Sequence, residues 1–271
     1  MTFKRLSISE MSLSRLYGAA KRRVADIPHS LAWHIDGWQS RTNREKLHLF
    51  IGRYINQRCF ILGNGPSLSK MDLSPLKDEI TFGLNRIYLL FDKLVFRPTY
   101  YVCVNELVLE QFSNEISTLT MPKFLNWNRR KLFGAENDLI SFVKLSLGLQ
   151  DKFARDFRQP LSSGGTVTYV ALQIAYIMGF SEIILVGLDH SFADKGTPNK
   201  VETRSGETDV NHFHPNYFPK GSKWQLPDLK RSELAYELAR QTFEHDNRKI
   251  IDATVDGKCL VFEKADFHSL F

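Results

Sequence analysis

The sequence predicts an α/β protein, a mostly parallel sheet with helices on both faces. Three observations carry that expectation. From residue 58 onward, short apolar runs alternate with helical spacing, the pattern of βα units. The first run, Cys59-Phe60-Ile61-Leu62, passes straight into a glycine-rich turn, Gly63-Asn64-Gly65-Pro66-Ser67. The 271 residues, 43 % hydrophobic and 12 % aromatic, suffice for one large packed core.

Residues 1–57 precede the strand pattern and read as a helical arm. Leu13, Leu16, Tyr17, Ala20 and Val24 recur at helical spacing, with a basic opposite face. Such an arm is suited either to packing on its own domain or to peripheral contact with anionic lipid. Strands are then expected over residues 58–62, 80–84, 99–104, 122–126, 140–145, 182–187, 248–252 and 259–262. A helix is expected over 166–178, entered from Ser162-Ser163-Gly164-Gly165 and closed by Gly179. A second helix is expected from Asp228 to His245. Between them, residues 191–227 are polar, rich in Gly and Pro and threaded with aromatics. A loop that long in a compact domain suits a lid or an acceptor-binding segment. The order is that of a single Rossmann-like nucleotide-binding domain, 58–271, behind the arm 1–57.

Charge is uneven. Residues 1–58 hold eleven Lys/Arg against four acids, net +7, so the remainder carries −1 of the overall +6. A nucleic-acid protein spreads its basic residues over the working face, so no nucleic-acid partner is expected. Cys59, Cys103 and Cys259 are widely spaced and read as buried thiols of a reducing compartment, not a disulfide or zinc framework. No apolar run approaches the ~20 residues of a membrane span, and Met1 to Glu10 lack the apolar stretch of a secretory signal. A cytoplasmic protein is expected.

Open parallel sheets bind ligands beyond the carboxyl ends of their strands. Gly63, Asn64, Gly65, Pro66 and Ser67 follow the first strand, Asn85 the second and Asn105 the third. Asp189 follows the strand at 182–187, and the Ser162-Ser163-Gly164 turn opens the helix leading into it. The glycine turns are expected to cradle phosphate with backbone N–H groups, and the amides to read ribose or base. The structural alternatives are chain reversal with Ser67 as a helix cap, and turn or cap roles for the asparagines and Asp189. Position 68 is Leu, so the dinucleotide fingerprint fails, and no Gly-Lys-Ser/Thr follows. No Asp-x-Asp occurs, which argues for metal-independent handling of the leaving group, the expectation here, or else for a metal held by scattered acids, with Asp189 first and Asp194 beside it. In the long loop, His212 and His214 join His190 as candidates for a general base near neutral pH. Tyr217, Lys220, Lys223 and Trp224 are placed to cover a ligand, the cations offsetting phosphate charge.

Phe60 to Leu68, Asn85, Ser162-Ser163-Gly164, and the string Gly179-Phe180-Ser181-Glu182-Ile183-Ile184-Leu185-Val186-Gly187-Leu188-Asp189 resemble the MptE-like superfamily. One branch contains bacterial sialyltransferases that use CMP-sialic acid, with the central domain of motility accessory glycosyltransferases. The other contains the archaeal 6-hydroxymethyl-dihydropterin pyrophosphokinase. The resemblance covers residues 58–262. It implies that the Gly63–Ser67 turn and Asn85 contact the nucleotide. It also implies that Asn105, Ser163 and Gly164 line the donor and that Asp189 binds a ribose or sugar hydroxyl. That sialyltransferase branch has a tyrosine where this chain has His190 and Ser191, and its late histidine falls near Pro227-Asp228. The expected activity is therefore a glycosyltransferase with a nucleotide-activated sugar, CMP-linked sialic or nonulosonic acid favoured, a histidine base and Tyr217 near the leaving phosphate. No cofactor is obligatory. The expected partners are the sugar donor and a glycan or lipid-linked acceptor, with an oligomer left open. The alternatives are ATP-dependent diphosphate transfer, which needs Mg²⁺, and a non-enzymatic nucleotide-binding protein.

Overall fold

The computed structural model describes residues 13–35, 37–134, 137–148, 150–194 and 196–271. The start of the expected arm, residues 1–12, lies outside them.

Two helices come first, α1 (Leu13–His34) and α2 (Trp38–His48). An eight-stranded sheet follows. Its strands are β1 (Arg58–Leu62), β2 (Thr81–Leu84), β3 (Tyr100–Cys103), β4 (Lys123–Asn126), β5 (Ile140–Val143), β6 (Glu182–Val186), β9 (Lys249–Asp252) and β10 (Glu263–Lys264). The helices α3 (Glu106–Thr118), α4 (Val167–Ile177) and α5 (Leu229–His245) connect them. The short strands β7 (Val201–Thr203) and β8 (Lys223–Gln225) form an antiparallel ribbon inside the long loop.

The sheet order is β10-β9-β6-β1-β2-β3-β4-β5, and every pairing is parallel. This is the expected Rossmann-like α/β arrangement. The central strands β1 and β6 are apolar runs without alternation because they are buried on both faces. α4 is buried over its whole length from Thr168 to Ile177. Thr166 caps its first turn, and Gly179 follows its end in the left-handed region. An aromatic row crosses the sheet from Phe180 through Phe82 and Tyr100 to Phe124.

The chain leaves β1, builds outward to β5, then returns to place β6 on the other side of β1. The topological switch point therefore lies between β1 and β6, where such sheets open a crevice. The outer edge at β5 is covered by α2. The Asn43 side chain donates to Phe142 O at 2.9 Å and accepts from Phe142 N at 2.7 Å. It thus completes one residue of an otherwise unpaired strand edge.

Three expectations need correction. Residues 259–262 form no strand, and the last strand pairs instead through Glu263 and Lys264. Cys259 and Phe262 are apolar because they fill the core, not because they join a ladder. The strand expected to reach residue 145 ends at Val143, and Leu145 makes a single bridge to Leu161. The turn after β1 opens no α-helix. Pro66–Lys70 is one short 3₁₀ turn whose N-cap is Gly65, and Ser67 caps nothing.

Candidate active site

The switch point brings the Gly63–Ser67 turn against the segment that follows β6. Gly63 N donates to Val186 O at 2.7 Å and Gly65 N to Gly187 O at 3.0 Å. Ser67 gives both of its donors to Asp189, the backbone N–H to Oδ1 at 2.9 Å and the hydroxyl to Oδ2 at 2.6 Å. The close approach explains the glycines. A Cβ at residue 63 would stand 2.4 Å from Gly187 O, and one at residue 65 would stand 1.7 Å from Asp189 Oδ2. The expected phosphate cradle is therefore corrected. The N–H groups of Gly63, Gly65 and Ser67 face protein oxygens, and Pro66 has none to offer.

The open hydrogen-bonding capacity belongs to the asparagines instead. Asn64 Oδ1 and Asn85 Oδ1 are buried without a partner. They belong to the residues that follow the adjacent strands β1 and β2. Asn85 holds φ at +45°, in the left-handed region. Buried acceptors without donors and non-glycine residues in that region both cluster where ligands bind.

The neighbouring candidates are tied into the fold. Asn105 Oδ1 caps α3, accepting from Leu107 N and Val108 N at 3.0 and 3.3 Å. Ser162 is buried, its hydroxyl accepting from Lys152 N and its backbone held by Gln173. Ser163 Oγ accepts from Arg231 at 3.1 Å, and Gly164 N donates to Asp151 Oδ1 at 3.1 Å. A two-bond ion pair of Arg231 with Asp151, at 2.7 and 2.9 Å, links these turns.

The long loop closes over this edge. Phe213 N donates to Asn64 O at 3.1 Å. Buried Arg86 donates to the carbonyls of Asn216 and Tyr217 and lies 3.7 Å from the Phe112 ring centre. Tyr217 OH accepts from Arg86 N at 3.3 Å, and burial pushes the phenol far above its ordinary value. These contacts seat the three candidate histidines differently. His212 Nδ1 lies 2.9 Å from Asp209 Oδ2. An ionised carboxylate only accepts, so Nδ1 carries the proton and Nε2 keeps the lone pair. The same imidazole stacks on Tyr217, ring centres 3.9 Å apart and planes 4° from parallel. Burial pushes the Asp209 carboxyl up, but the bonds from His212 and Asn211 N and the charge of Arg204 outweigh it and hold it below its ordinary value.

His214 Nδ1 accepts from Asn216 N at 3.1 Å, which leaves its proton on Nε2. Burial, then the charges of Lys93 and Arg86, push its value down. His190 holds φ at +54° and donates from Nε2 to Glu233 at 3.0 Å. His190 and His212 are both oriented by a carboxylate, but the Asp209 side chain is buried whereas that of Glu233 is half exposed, so His212 is the more firmly held base. Lys93 also lines a cavity of about 140 Å³ beside the turn, with Leu68, Ser69 and Leu90.

Asp209, Arg86, Asp151 and Arg231 were not singled out in the sequence as site residues. The Asp209-x-x-His212 spacing is the one local signal that could have pointed to the pair. Among the described residues no group of three or more His, Cys, Asp or Glu is placed to hold a metal ion.

The family profile described as 6-hydroxymethylpterin diphosphokinase MptE-like matches residues 39–195. The structure of a MAf glycosyltransferase from Magnetospirillum magneticum AMB-1 superposes with a TM-score of 0.51 at 12 % identity. The match covers 97 % of this chain and 43 % of that one, so this chain spans less than half of its neighbour's length. At that identity the likeness concerns the fold. No curated protein matches the sequence.

Proposed function

We propose that this chain, which belongs to the MptE-like family, transfers a sugar from a nucleotide-activated donor to an acceptor hydroxyl. The observation that carries the proposal is the Asp209–His212 pair, placed by the Phe213–Asn64 bond over the switch-point turn. His212 Nε2 takes the proton of the acceptor hydroxyl as its oxygen attacks the anomeric carbon. The bond from that carbon to the phosphate oxygen breaks, and the nucleotide leaves with the electron pair. Asp209 keeps the imidazole in the correct tautomer and stabilises the imidazolium. Tyr217 holds the ring plane by stacking, with its hydroxyl turned to the Arg86 backbone. Asn64 and Asn85 supply amide groups to the nucleotide, and Asp189 acts through Ser67 by fixing the turn beneath it. Lys93 offsets charge on the leaving phosphate.

A CMP-linked sialic or nonulosonic acid is the favoured donor. The likeness to a MAf glycosyltransferase supports this only at the level of the fold. The setting we propose is cytoplasmic synthesis of surface polysaccharide or glycoconjugate. No described helix is long and apolar enough to cross a membrane. Titration calorimetry with CMP, UDP and ATP tests the proposal. Binding of CMP is expected, and ATP binding without CMP binding would overturn it.

The family description favours one other reading, diphosphate transfer from ATP to a pterin-like alcohol. That chemistry uses Mg²⁺ held by acids. The nearest candidates are already engaged, Asp189 by Ser67 and Asp194 by Arg204 and Asn211. Loss of activity on EDTA treatment would favour it.

A further inference from the structure

α1 is fastened to the body by a face that carries Asp26, His29 and the buried Trp33, and turns a second, apolar stripe outward. On the inner side, Asp26 accepts from Lys144 at 2.5 Å and from Asn128 at 2.8 Å. Trp127 Nε1 donates to His29 O at 2.9 Å, and Trp33 packs edge-on against Trp127 with ring centres 5.2 Å apart. On the outer side stand Val24, Ile27, Leu31 and Ile35, each between 53 and 66 % exposed. Ile35 N still donates to Leu31 O, so it continues the helical turn. Steps of three, four and four residues keep these four side chains on a single stripe. Trp38, which opens α2, is 61 % exposed.

The surroundings of the stripe say what covers it. Lys21, one turn before Val24, flanks the stripe and is exposed, while Arg22 and Arg23 are exposed further round the helix, Arg23 donating to Leu147 O at 3.1 Å. The single acid of α1, Asp26, is engaged by Lys144, Asn128 and Ser30. An anionic bilayer offers the complementary surface: acyl chains for the stripe, headgroups for the cations and an interface for Trp38.

We propose that the Val24–Ile27–Leu31–Ile35 face of α1 rests on an anionic lipid surface, holding the protein at the membrane without spanning it. The inference does not depend on the sugar-transfer chemistry. Sedimentation of the full chain with vesicles tests it. Vesicles of phosphatidylcholine mixed with phosphatidylglycerol should carry the protein down at low salt, and pure phosphatidylcholine should not. Added NaCl should weaken the binding, and tryptophan emission should shift to the blue in the wild type but not in Trp38→Phe. The double variant Ile27→Glu, Leu31→Glu should lose binding by about tenfold or more. Both positions are exposed, so its thermal melt and nucleotide titration should match the wild type. A Leu31→Gln variant gives the same reading without added charge. The proposal is overturned if the wild type ignores anionic vesicles or if the double variant binds them equally well. A dimer in light scattering that Leu31→Gln turns into monomer would also overturn it, by showing that a second copy covers the stripe.

Discussion

Asp189 and Ser67 are joined by two hydrogen bonds across the switch point, at 2.9 and 2.6 Å. The carboxylate fills the place that an anionic ligand would take at a bare turn. It also fixes Gly65 so closely that no side chain fits there.

Asp189→Asn keeps an acceptor for one of the two donors and loses the charge. We expect a stability loss of about 1–2 kcal/mol, because bonds to a charged acceptor are worth more than neutral ones. Urea unfolding gives the number. Nucleotide affinity should fall with it, since the turn beneath Asn64 loosens. A variant as stable as the wild type would show that the pair does not hold the turn.

The Asp209–His212 pair predicts an ordered set of kinetic effects. His212→Ala should reduce kcat by about 10²–10⁴-fold, the usual value of a general base. Asp209→Asn should reduce kcat by less and leave KM nearly unchanged, because it disturbs only the tautomer and orientation. His214→Ala should stay near wild type. The pair also has a stability signature. Asp209 is held below its ordinary value despite burial. Its stabilisation is therefore complete above the unfolded carboxyl value and lost as pH falls through the folded one. Asp209→Asn should make acid unfolding less steep in that range.

His214 is pushed below the ordinary histidine value, first by burial and then by the charges of Lys93 and Arg86. For a base so shifted, stability is full above that ordinary value and declines as pH falls toward the folded value. Ring-proton NMR should show its titration below that of a free histidine. Lys93→Gln should raise it, while burial keeps it short of the free value. No movement would place Lys93 too far away to offset charge on a phosphate.

The parts of the fold that could be read from sequence are those in which one local signal has one cause. β1 and β6 are apolar on both faces and bounded by Gly63 and Gly187, so their extents match the expectation within a residue. The stretch 259–262 is equally apolar, but Cys259 and Phe262 fill space between elements, and apolarity alone does not separate the two uses. The same limit holds at the site. The turn was visible because glycines in sequence mark close approach. The occupant of its N–H groups was not, because Asp189 lies 122 residues from Ser67. Asp209 was missed for a related reason. An acid in a polar loop carries no sign of burial until Arg86 and Phe213 draw that loop onto the sheet.

Asn43 predicts a cost at the far edge of the sheet. Its amide serves both backbone groups of Phe142 in a buried setting. Asn43→Ala leaves an N–H and a C=O of β5 without partners. The expected loss is about 2–3 kcal/mol by urea unfolding, near the desolvation cost of an unpaired buried group. Asn43→Asp keeps the acceptor but sets a carboxylate against Phe142 O, and should be at least as damaging. Light scattering should also show more aggregation in Asn43→Ala, because an uncovered edge strand templates pairing with other chains.

Asp26 and Lys144 make the last prediction, on what keeps α1 in place. The Lys144 side chain is 2 % exposed, and its ammonium also donates to Asn128 Oδ1 at 3.2 Å. Burial pushes the Asp26 carboxyl up, but the bonds from Lys144, Ser30 and Asn128 outweigh it and leave it below its ordinary value. Removing one partner strands the other charge, so Asp26→Ala should cost about 3–5 kcal/mol. Removing both should cost much less, because Asp26→Leu with Lys144→Met replaces the pair by apolar groups of similar size. A carboxyl held low gives stability present above its unfolded value and lost as pH falls through the folded one. The helix should therefore loosen from the body in acid. Hydrogen exchange along α1 would report that release, and it should occur at higher pH in Asn128→Ala, which lacks one of the bonds holding the carboxyl down. Equal stabilities for Asp26→Ala and the double variant would mean that the pair does not anchor the helix.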